Sequence, residues 1–364
     1  MLKNNKSTCT LYALALAGAL AMPMAHAAPI ANGKLTPLIT AGAPPDSPAA
    51  HVDPNLASSA FSGVVSININ YDGYSFICSG ALVGKRSVVS AGHCVDTDGN
   101  GHVIDLTAPD SSVLVVFYSS SVVGDPGRAR VSASAVSMNT NYQGFGHCPA
   151  AVTGADPFCV NDDISVITLS ADAPASAKIY KIATAPVLSG THIIMAGYGT
   201  SGDGVNGYTI APAFRTKRTG ENYVDLFDGN DELDFTGANE VYYADFDGGG
   251  KDTFCTEFGV CTPILPNNRE SGIGGGDSGG PSFVSMYGEL MLVANNTFSG
   301  TFDGQTPGTF GTYFGGILLS SYTDYLNTAT DGSASFVPEP GSIALFGLAS
   351  MLLMGARRRS KKAS

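Results

Sequence analysis

The chain has 364 residues, with 45 glycines, 20 prolines and only 14% charged residues, a composition typical of a loop-rich, mostly β protein. Its formal net charge is −12, and between residues 52 and 337 eleven Lys and Arg face 29 Asp and Glu, which gives that body −18. A surface this acidic repels nucleic acid and bare anionic lipid, so the composition argues against nucleic-acid binding and against direct adsorption to a membrane.

Residues 1–27 have the three parts of an export signal. Two lysines make a positive start, an apolar run follows from Leu11 to Met22, and Ala25-His26-Ala27 supplies a small-x-small cleavage site. We predict a signal peptide, with a buried helix as the alternative. Export implies an oxidising compartment.

The next segment, residues 28–51, is rich in Pro, Ala and Gly and has no hydrophobic period, so it is predicted to be a propeptide or linker. A single body is predicted over residues 52–330, with a polar linker at 331–337. Short runs rich in Val, Ile, Tyr and Thr, bounded by turn residues, predict an all-β barrel or sandwich with one terminal helix. The predicted strands are 63–71, 112–120, 164–169, 191–198, 240–246 and 289–298, and the predicted helix is 320–328.

Six cysteines remain once Cys9 leaves with the signal, and an even number in an exported chain indicates disulfides. Six cysteines allow 15 connectivities. We favour pairing between nearest neighbours. The pairs are Cys78–Cys94, Cys148–Cys159 and Cys255–Cys261.

An Asp-rich loop follows the second cysteine. Asp96, Asp98 and Asn100 precede Gly101, as in the first half of an EF-hand loop, but Thr107 stands where the glutamate of such a loop is expected. A solvated acidic turn is the simpler interpretation, and a structural calcium ion is the alternative. No other cofactor is expected.

Three motifs carry chemistry. SAGHC ends with His93 and Cys94, NDDISVITL places Asp163 at the mouth of an apolar strand, and GIGGGDSGGP surrounds Ser278 with glycines. A serine hydroxyl needs a nearby base, a group that orients the base, and donors for an oxyanion. Ser278 could supply the hydroxyl, His93 the base and Asp163 the orienting group.

Together the motifs resemble the chymotrypsin/trypsin-like serine proteases, including that family's chain order of His, Asp and Ser. The resemblance spans about residues 52–328. It implies two six-stranded antiparallel β-barrels with a short C-terminal helix. It also implies that Ser278 is the nucleophile, His93 the base and Asp163 its orienting group. The N–H groups of Gly276 and Ser278 would form the oxyanion hole.

The resemblance further implies activation by cleavage, after which the new α-ammonium pairs with Asp277. Counting back from Cys78 by the family's spacing predicts that cleavage lies between His51 and Val52. Ile39 is the alternative new terminus.

The family comparison also locates the primary substrate pocket. Gly272 stands at its base, where trypsin-like enzymes that cut after Lys or Arg carry an aspartate. Thr297, Phe298 and Ser299 are expected on the opposite wall. An uncharged base argues against a preference for Lys or Arg and favours a medium or large uncharged residue.

The C-terminal residues 338–364 begin with Pro338-Glu339-Pro340, continue with an apolar run over 343–356, and end in a basic cluster. This order resembles a PEP-CTERM sorting signal, which implies processing by an exosortase in a Gram-negative bacterium. A simple membrane anchor is the alternative. The run is short against the ~20 residues that span a bilayer, and it is the chain's predicted membrane contact.

The sequence therefore predicts a secreted or cell-surface serine endopeptidase that acts on proteins or peptides. An inactive protein that keeps the fold for binding is the alternative. A lipase-type esterase is less favoured, because its elbow serine precedes its acid and histidine in the chain.

Overall fold

The structure is a computed structural model that describes residues 39–96, 98–118, 127–153, 158–212, 215–302 and 304–338. The predicted signal peptide lies outside the described residues, as does the predicted apolar run over 343–356. None of the helices in the described ranges is long and apolar enough to cross a membrane.

The N-terminal half is a closed antiparallel barrel of six strands in the order β1-β2-β3-β6-β5-β4. Its interior is filled by alternate apolar residues such as Val65, Ile67 and Ile69, because successive side chains of a strand point to opposite faces. The strands are β1 (Val64–Tyr71), β2 (Tyr74–Leu82), β3 (Ser87–Ser90), β4 (Ser112–Phe117), β5 (Ala129–Met138) and β6 (Ser165–Leu169).

The C-terminal half is a nine-stranded sheet, together with a separate two-stranded pair. Its main path runs in the order β11-β8-β14-β15-β16-β13-β12, with β7 and β17 attached at β15. The strands are β7 (Ile182–Ala183), β8 (His192–Gly197), β9 (Ser201–Asp203), β10 (Gly207–Ile210), β11 (Arg218–Tyr223), β12 (Leu226–Asn230), β13 (Thr236–Asp245), β14 (Pro281–Met286), β15 (Glu289–Gly300), β16 (Tyr313–Leu318) and β17 (Phe336–Val337).

The prediction of two six-stranded barrels is therefore supported for one barrel only. In the second half β12 forms a hairpin with β13 and occupies the edge that would have to meet β11 for the ring to close. The free edge of β11 instead forms isolated bridges with Val52 and Glu270.

Two short helices complete the fold. Helix α1 (Thr253–Phe258) begins after Asp252, whose side chain accepts the N–H of Cys255, and it ends at Gly259, which has a left-handed φ of 70°. Helix α2 (Thr323–Ala329) follows a 3-10 turn at Leu319–Tyr322, at the place where the sequence predicted a terminal helix. The α2 residue Leu326 is fully buried in the cluster that joins the two halves.

The segment before Val52 belongs to the domain, which differs from the predicted boundary at residue 52. Ile39, Thr40 and Ala41 are each 1% exposed. The N–H of Thr40 donates to the carbonyl of Gly272, and that of Ala41 donates to Gly202. The predicted linker 331–337 also joins the sheet, because β17 pairs with β7 in parallel register.

Three disulfides connect Cys78 with Cys94, Cys148 with Cys159, and Cys255 with Cys261. This is the nearest-neighbour arrangement. Each bond closes a local loop of 16 residues or fewer, so none of the three joins the barrel to the second sheet.

Candidate active site

Two hydrogen bonds join His93 to Asp163 at the rim of the barrel. His93 Nδ1 lies 2.6 Å from Asp163 Oδ2, and the backbone N–H of His93 donates to Oδ1 at 2.7 Å. The carboxylate is fully buried, whereas the imidazole is 22% exposed. Burial opposes the charged form of the imidazole, but the attraction and hydrogen bond of Asp163 outweigh it and raise the pKa of His93.

The Asp163 backbone is fixed from the second sheet. Its carbonyl accepts a hydrogen bond from Asn295 Nδ2 at 3.1 Å, and the same amide group reaches the carbonyl of Ser90 at 3.3 Å. Asn295 is buried on β15 and was not predicted from the sequence. Its amide links the strand before His93 to the strand that begins beside Asp163, and this orients both loops.

The loop that carries Ser278 packs directly on the histidine loop. Cys94 Sγ lies 3.7 Å from the Ser278 carbonyl, and Ser79 donates its backbone N–H to the same carbonyl at 2.8 Å. A Cβ on Gly279 would lie 2.0 Å from Ser90 Oγ, so this close approach requires glycine. Ser278 and His93 both lie in the part of the chain that the structure describes. No direct hydrogen bond joins their side chains, as is common before substrate binds.

The predicted oxyanion donors lie in a turn shaped by glycine. Gly276 has a φ of +98°, a conformation that side chains resist, and a Cβ there would lie 3.0 Å from Ile77. Ser79 Oγ holds the Gly276 carbonyl at 2.8 Å. Within the described ranges, the N–H groups of Gly276 and Ser278 have no protein acceptor.

Asp277 is fully buried beneath this turn, and its carboxylate is held by backbone N–H groups. Gly199 donates to it at 2.8 Å and Gly274 at 3.0 Å, and Ile39 donates a third hydrogen bond. Burial raises the pKa of Asp277 to about 7, although these hydrogen bonds and the charge of Arg218 oppose the rise.

The uncleaved chain does not bring Val52 to Asp277, so the structure gives the predicted pairing no support. Val52 is 41% exposed, and its backbone bridges Arg218 at the edge of β11. The preceding residue, His51, is held by Asp46 and by the Thr219 carbonyl. The residue whose backbone reaches Asp277 is Ile39, the alternative terminus, and counting by the family's spacing missed it because this chain has a longer segment before the first strand.

The predicted pocket residues separate in the structure. Gly272 and Ser299 line one narrow crevice together with Tyr208, Phe246 and Tyr313. Phe298 instead packs in the core, 5.3 Å from Tyr243 between ring centroids. Thr297 is fully buried and does not line the crevice. A β-bulge between Asn296 and Phe298 changes which side chains of β15 face each way, and sequence alternation could not locate it.

The predicted calcium loop is closed by its own hydrogen bonds. The Asp96 carboxylate accepts the N–H groups of Asn100 and Gly101 at 3.1 and 2.9 Å, and the Asn100 amide donates to Asp98. Asp96 is buried, and Asp98 is exposed. Calcium binding by this loop stays a prediction.

Two family profiles match the chain. The Trypsin profile covers residues 53–314, well over half of the sequence, and the PEP-CTERM protein-sorting motif covers residues 336–359. The second match overlaps the end of the described residues, in β17.

Three similar curated proteins are all named inactive serine protease PAMR1. The protein of Xenopus tropicalis is 31% identical over 107 residues, which are 29% of this chain and 13% of the relative. The protein of Bos taurus is 31% identical over 123 residues, which are 34% of this chain and 15% of the relative. The protein of Homo sapiens is 28% identical over 148 residues, which are 39% of this chain and 19% of the relative.

This chain thus spans less than a fifth of the length of the relatives that it matches. The profile match over residues 53–314 agrees with the closed six-stranded barrel and the short terminal helix. The chain therefore belongs to the trypsin family and carries a PEP-CTERM sorting motif.

Proposed function

We propose that this protein is an exported serine endopeptidase in which His93, Asp163 and Ser278 form the catalytic triad. The observation that carries the proposal is the pair of hydrogen bonds from His93 to one buried carboxylate, at 2.6 and 2.7 Å. A histidine used only for structure does not need both its ring and its backbone fixed while its ring edge stays open to solvent.

The geometry supports the following proton transfers. Because Nδ1 of His93 faces Asp163, the imidazole keeps its N–H there and leaves the Nε2 lone pair as the base. Ser278 Oγ attacks the substrate carbonyl carbon and passes its proton to Nε2. The imidazolium then returns that proton to the leaving amine as the peptide C–N bond breaks. Water repeats the cycle on the acyl-enzyme, with His93 again as base, and releases the acid and free Ser278.

The N–H groups of Gly276 and Ser278 would receive the negative oxygen of each tetrahedral intermediate. Support comes from their lack of protein acceptors in the described part of the chain and from the glycine-only φ of Gly276. Removal of one such donor typically lowers kcat by 10²–10³-fold, about 3 kcal/mol of the barrier.

Activation is assigned to cleavage immediately before Ile39. The Ile39 N–H already donates to Asp277, and the side chains of Ile39 and Thr40 are buried beside the pocket base. Cleavage would turn this amide nitrogen into an ammonium group beside a buried carboxylate. The resulting ion pair would favour the ionised Asp277 and fix the turn that holds Gly276.

The substrate preference is assigned to uncharged residues. The pocket base at Gly272 carries no charge, and four of the residues that line the crevice there are aromatic. None of the lining residues among those described is acidic, so the crevice offers no opposite charge to a Lys or Arg side chain.

An inactive binding protein is the second candidate, and the names of the PAMR1 relatives favour it. A fluorophosphonate probe separates the two candidates, because it labels only a serine activated by its base. We expect the form that begins at Ile39 to be labelled and its Ser278→Ala and His93→Ala variants to remain unlabelled. Absence of labelling in the wild-type form, or equal labelling of Ser278→Ala, would favour the binding protein.

The PEP-CTERM motif implies processing by an exosortase and placement at the surface of a Gram-negative cell. We assign the protein to that location, with residues 1–27 as its export signal and the C-terminal segment as its temporary membrane contact. Its substrates would then be proteins or peptides outside the inner membrane.

A further inference from the structure

Four carboxylates from three separate segments meet next to the candidate triad. Asp162 immediately precedes Asp163, Asp231 and Glu232 lie in the 3-10 turn that follows β12, and Glu240 lies on β13. One carboxylate oxygen from each lies within 4.8 Å of the others. Three of the four residues are at least nine-tenths buried, with exposures of 2%, 3% and 5% for Asp162, Asp231 and Glu240.

Among the residues that the structure describes, no positive charge balances this cluster. In the described ranges, none of the four carboxylates forms an ion pair with Lys, Arg or His. The residues between 39 and 338 that the structure does not describe include no Lys, Arg or His either. Four like charges in a buried place are strongly unfavourable unless a cation or bound protons neutralise them.

Three carboxylate oxygens of the cluster also lack a hydrogen-bond donor among the described residues. Asp162 Oδ2, Asp231 Oδ1 and Glu232 Oε2 are buried without a partner, and so is the amide oxygen of Asn230. Glu240 differs, because Asn161 and Asn230 donate to its two oxygens at 2.8 and 2.7 Å. These two amides hold Glu240 in place and contribute no charge.

Protons or a metal could neutralise the group. Burial, with the neighbouring carboxylates adding to it, raises the pKa of Asp162 to about 9 and that of Asp231 to about 7. Shared protons would satisfy two or three oxygens but would leave no reason for acidic side chains to converge from three segments. A cation satisfies all of them at once, and it would return these pKa values to the ordinary range or below.

The donor set selects the metal. All candidate ligands are oxygens, four of them from carboxylates, and the cluster contains neither histidine nor cysteine. Hard oxygen ligands of this number suit Ca²⁺, whereas zinc sites use nitrogen and sulfur. We propose that Asp162, Asp231, Glu232 and Glu240 bind a calcium ion.

The position of the site gives the ion a structural role. Asp162 has a left-handed φ of 61°, and its N–H donates to the Tyr322 hydroxyl, so this residue fixes the path of the chain into Asp163. The other three ligands come from the hairpin β12–β13 of the second sheet. The ion would therefore tie the Asp163 loop of the barrel to the second sheet, where no disulfide connects the two halves.

The experiment uses the chain from Ile39 with Ser278→Ala, so that self-cleavage and peptidase activity play no part. After removal of metal with EDTA, calcium binding is measured by isothermal titration, and the thermal midpoint is measured with and without calcium. We expect the double variant Asp231→Asn/Glu232→Gln to lose one bound calcium per chain and to lose the calcium-dependent rise in the midpoint.

Asp234→Asn is the matched control. It removes one negative charge from the same turn, as Glu232→Gln does, but Asp234 is exposed, lies outside the cluster, and has a left-handed φ of 52° that asparagine also adopts. We expect this control to bind as the parent does. Residual binding elsewhere, for example at Asp96 or at the second acidic group formed by Asp245, Asp247 and Asp252, is common to both variants and cancels in the comparison.

Glu232→Gln alone is the second variant if the double variant does not fold. Glu232 is only partly buried, and the single change is expected to weaken calcium binding at least tenfold while leaving the fold intact. The proposal is overturned if either variant keeps the parent's calcium stoichiometry and affinity. It is equally overturned if the parent binds no calcium at ~1–10 mM, above the weak extracellular range, since the carboxyls must then share protons.

Discussion

The backbone N–H of Ile39 donates a hydrogen bond to the carboxylate of Asp277, which is fully buried 238 positions later in the chain. The carboxylate has no lysine or arginine in hydrogen-bond contact among the described residues, and its pKa is raised to about 7. In the unprocessed chain the Ile39 nitrogen thus already lies against Asp277. Cleavage would convert this nitrogen into an ammonium group and so place a positive charge beside the carboxylate.

The first prediction concerns the mature N-terminus. We expect N-terminal sequencing of probe-labelled protein to give Ile-Thr-Ala-Gly, beginning at Ile39. Substitution of Asp277 by asparagine removes one partner of a buried ion pair, a loss of about 3–5 kcal/mol, so the labelling rate should fall at least ~100-fold. A labelled form that begins at Val52 would contradict the assignment of Ile39.

The second prediction is a pH effect on the unprocessed chain. The pKa of Asp277 is raised from an ordinary value near 3.8 to about 7. The fold therefore prefers the protonated carboxyl, and this contribution to stability is complete below pH ~4 and is lost as the pH rises through about 7. The free energy of unfolding of wild type relative to Asp277→Asn should fall across this window. Cleavage before Ile39 should remove or reverse that trend, because the ammonium favours the carboxylate.

The third prediction tests the orientation of His93. Asp163→Asn leaves the shape of the side chain but removes the charge that selects the Nδ1–H tautomer, so kcat should fall about 10⁴-fold. In the wild-type enzyme kcat/KM should decline as the pH falls through a His93 pKa above 6.5, because the base must be neutral. If kcat/KM instead declined around a pH below 6.5, burial would have a larger effect on the His93 pKa than Asp163 has. The variant Asp172→Asn, an exposed aspartate paired with Arg86, is the control.

The fourth prediction concerns the disulfides. Replacement of Cys78 and Cys94 by alanine opens a 16-residue loop and should lower the free energy of unfolding by about 3 kcal/mol, measured by urea titration. Replacement of Cys255 and Cys261, which close only 6 residues, should cost about 2 kcal/mol. Only the replacement of Cys78 and Cys94 should also slow the labelling of Ser278, because Cys94 adjoins His93 and contacts the Ser278 carbonyl. Equal labelling of the two double variants would contradict this role.

The fifth prediction concerns specificity. With a peptide library, kcat/KM should be higher for uncharged side chains before the cut bond than for Lys or Arg. Gly272→Asp should raise the relative kcat/KM for Lys and Arg, because a Cβ at Gly272 meets only Thr40 Oγ1 at 3.3 Å and Phe246 at 3.6 Å. A wild-type preference for Lys or Arg would show that another acidic group reaches the pocket.

The sequence indicated much of the architecture because its signals are local. Short runs rich in Val and Ile identified β1 and β6, and the turn residues around them set their limits within one position. The motifs around His93, Asp163 and Ser278 named the candidate site, since each motif is a short run of adjacent residues. Helix α1 was missed, because a helix of six residues is too short to show a helical period.

Other features depend on distant parts of the chain and were therefore out of reach. Three features are of this kind: the position of Ile39 against Asp277, the bulge that turns Phe298 into the core, and the lack of pairing between the described strands β11 and β12. The sequence by itself determined the family, the candidate triad and the sorting motif, because these are carried by residue identity and local spacing. Only the tertiary structure decided which backbone N–H meets Asp277, which residues line the crevice at Gly272 and where Asp162 meets Asp231 and Glu240, because contacts between distant segments depend on how the strands pair.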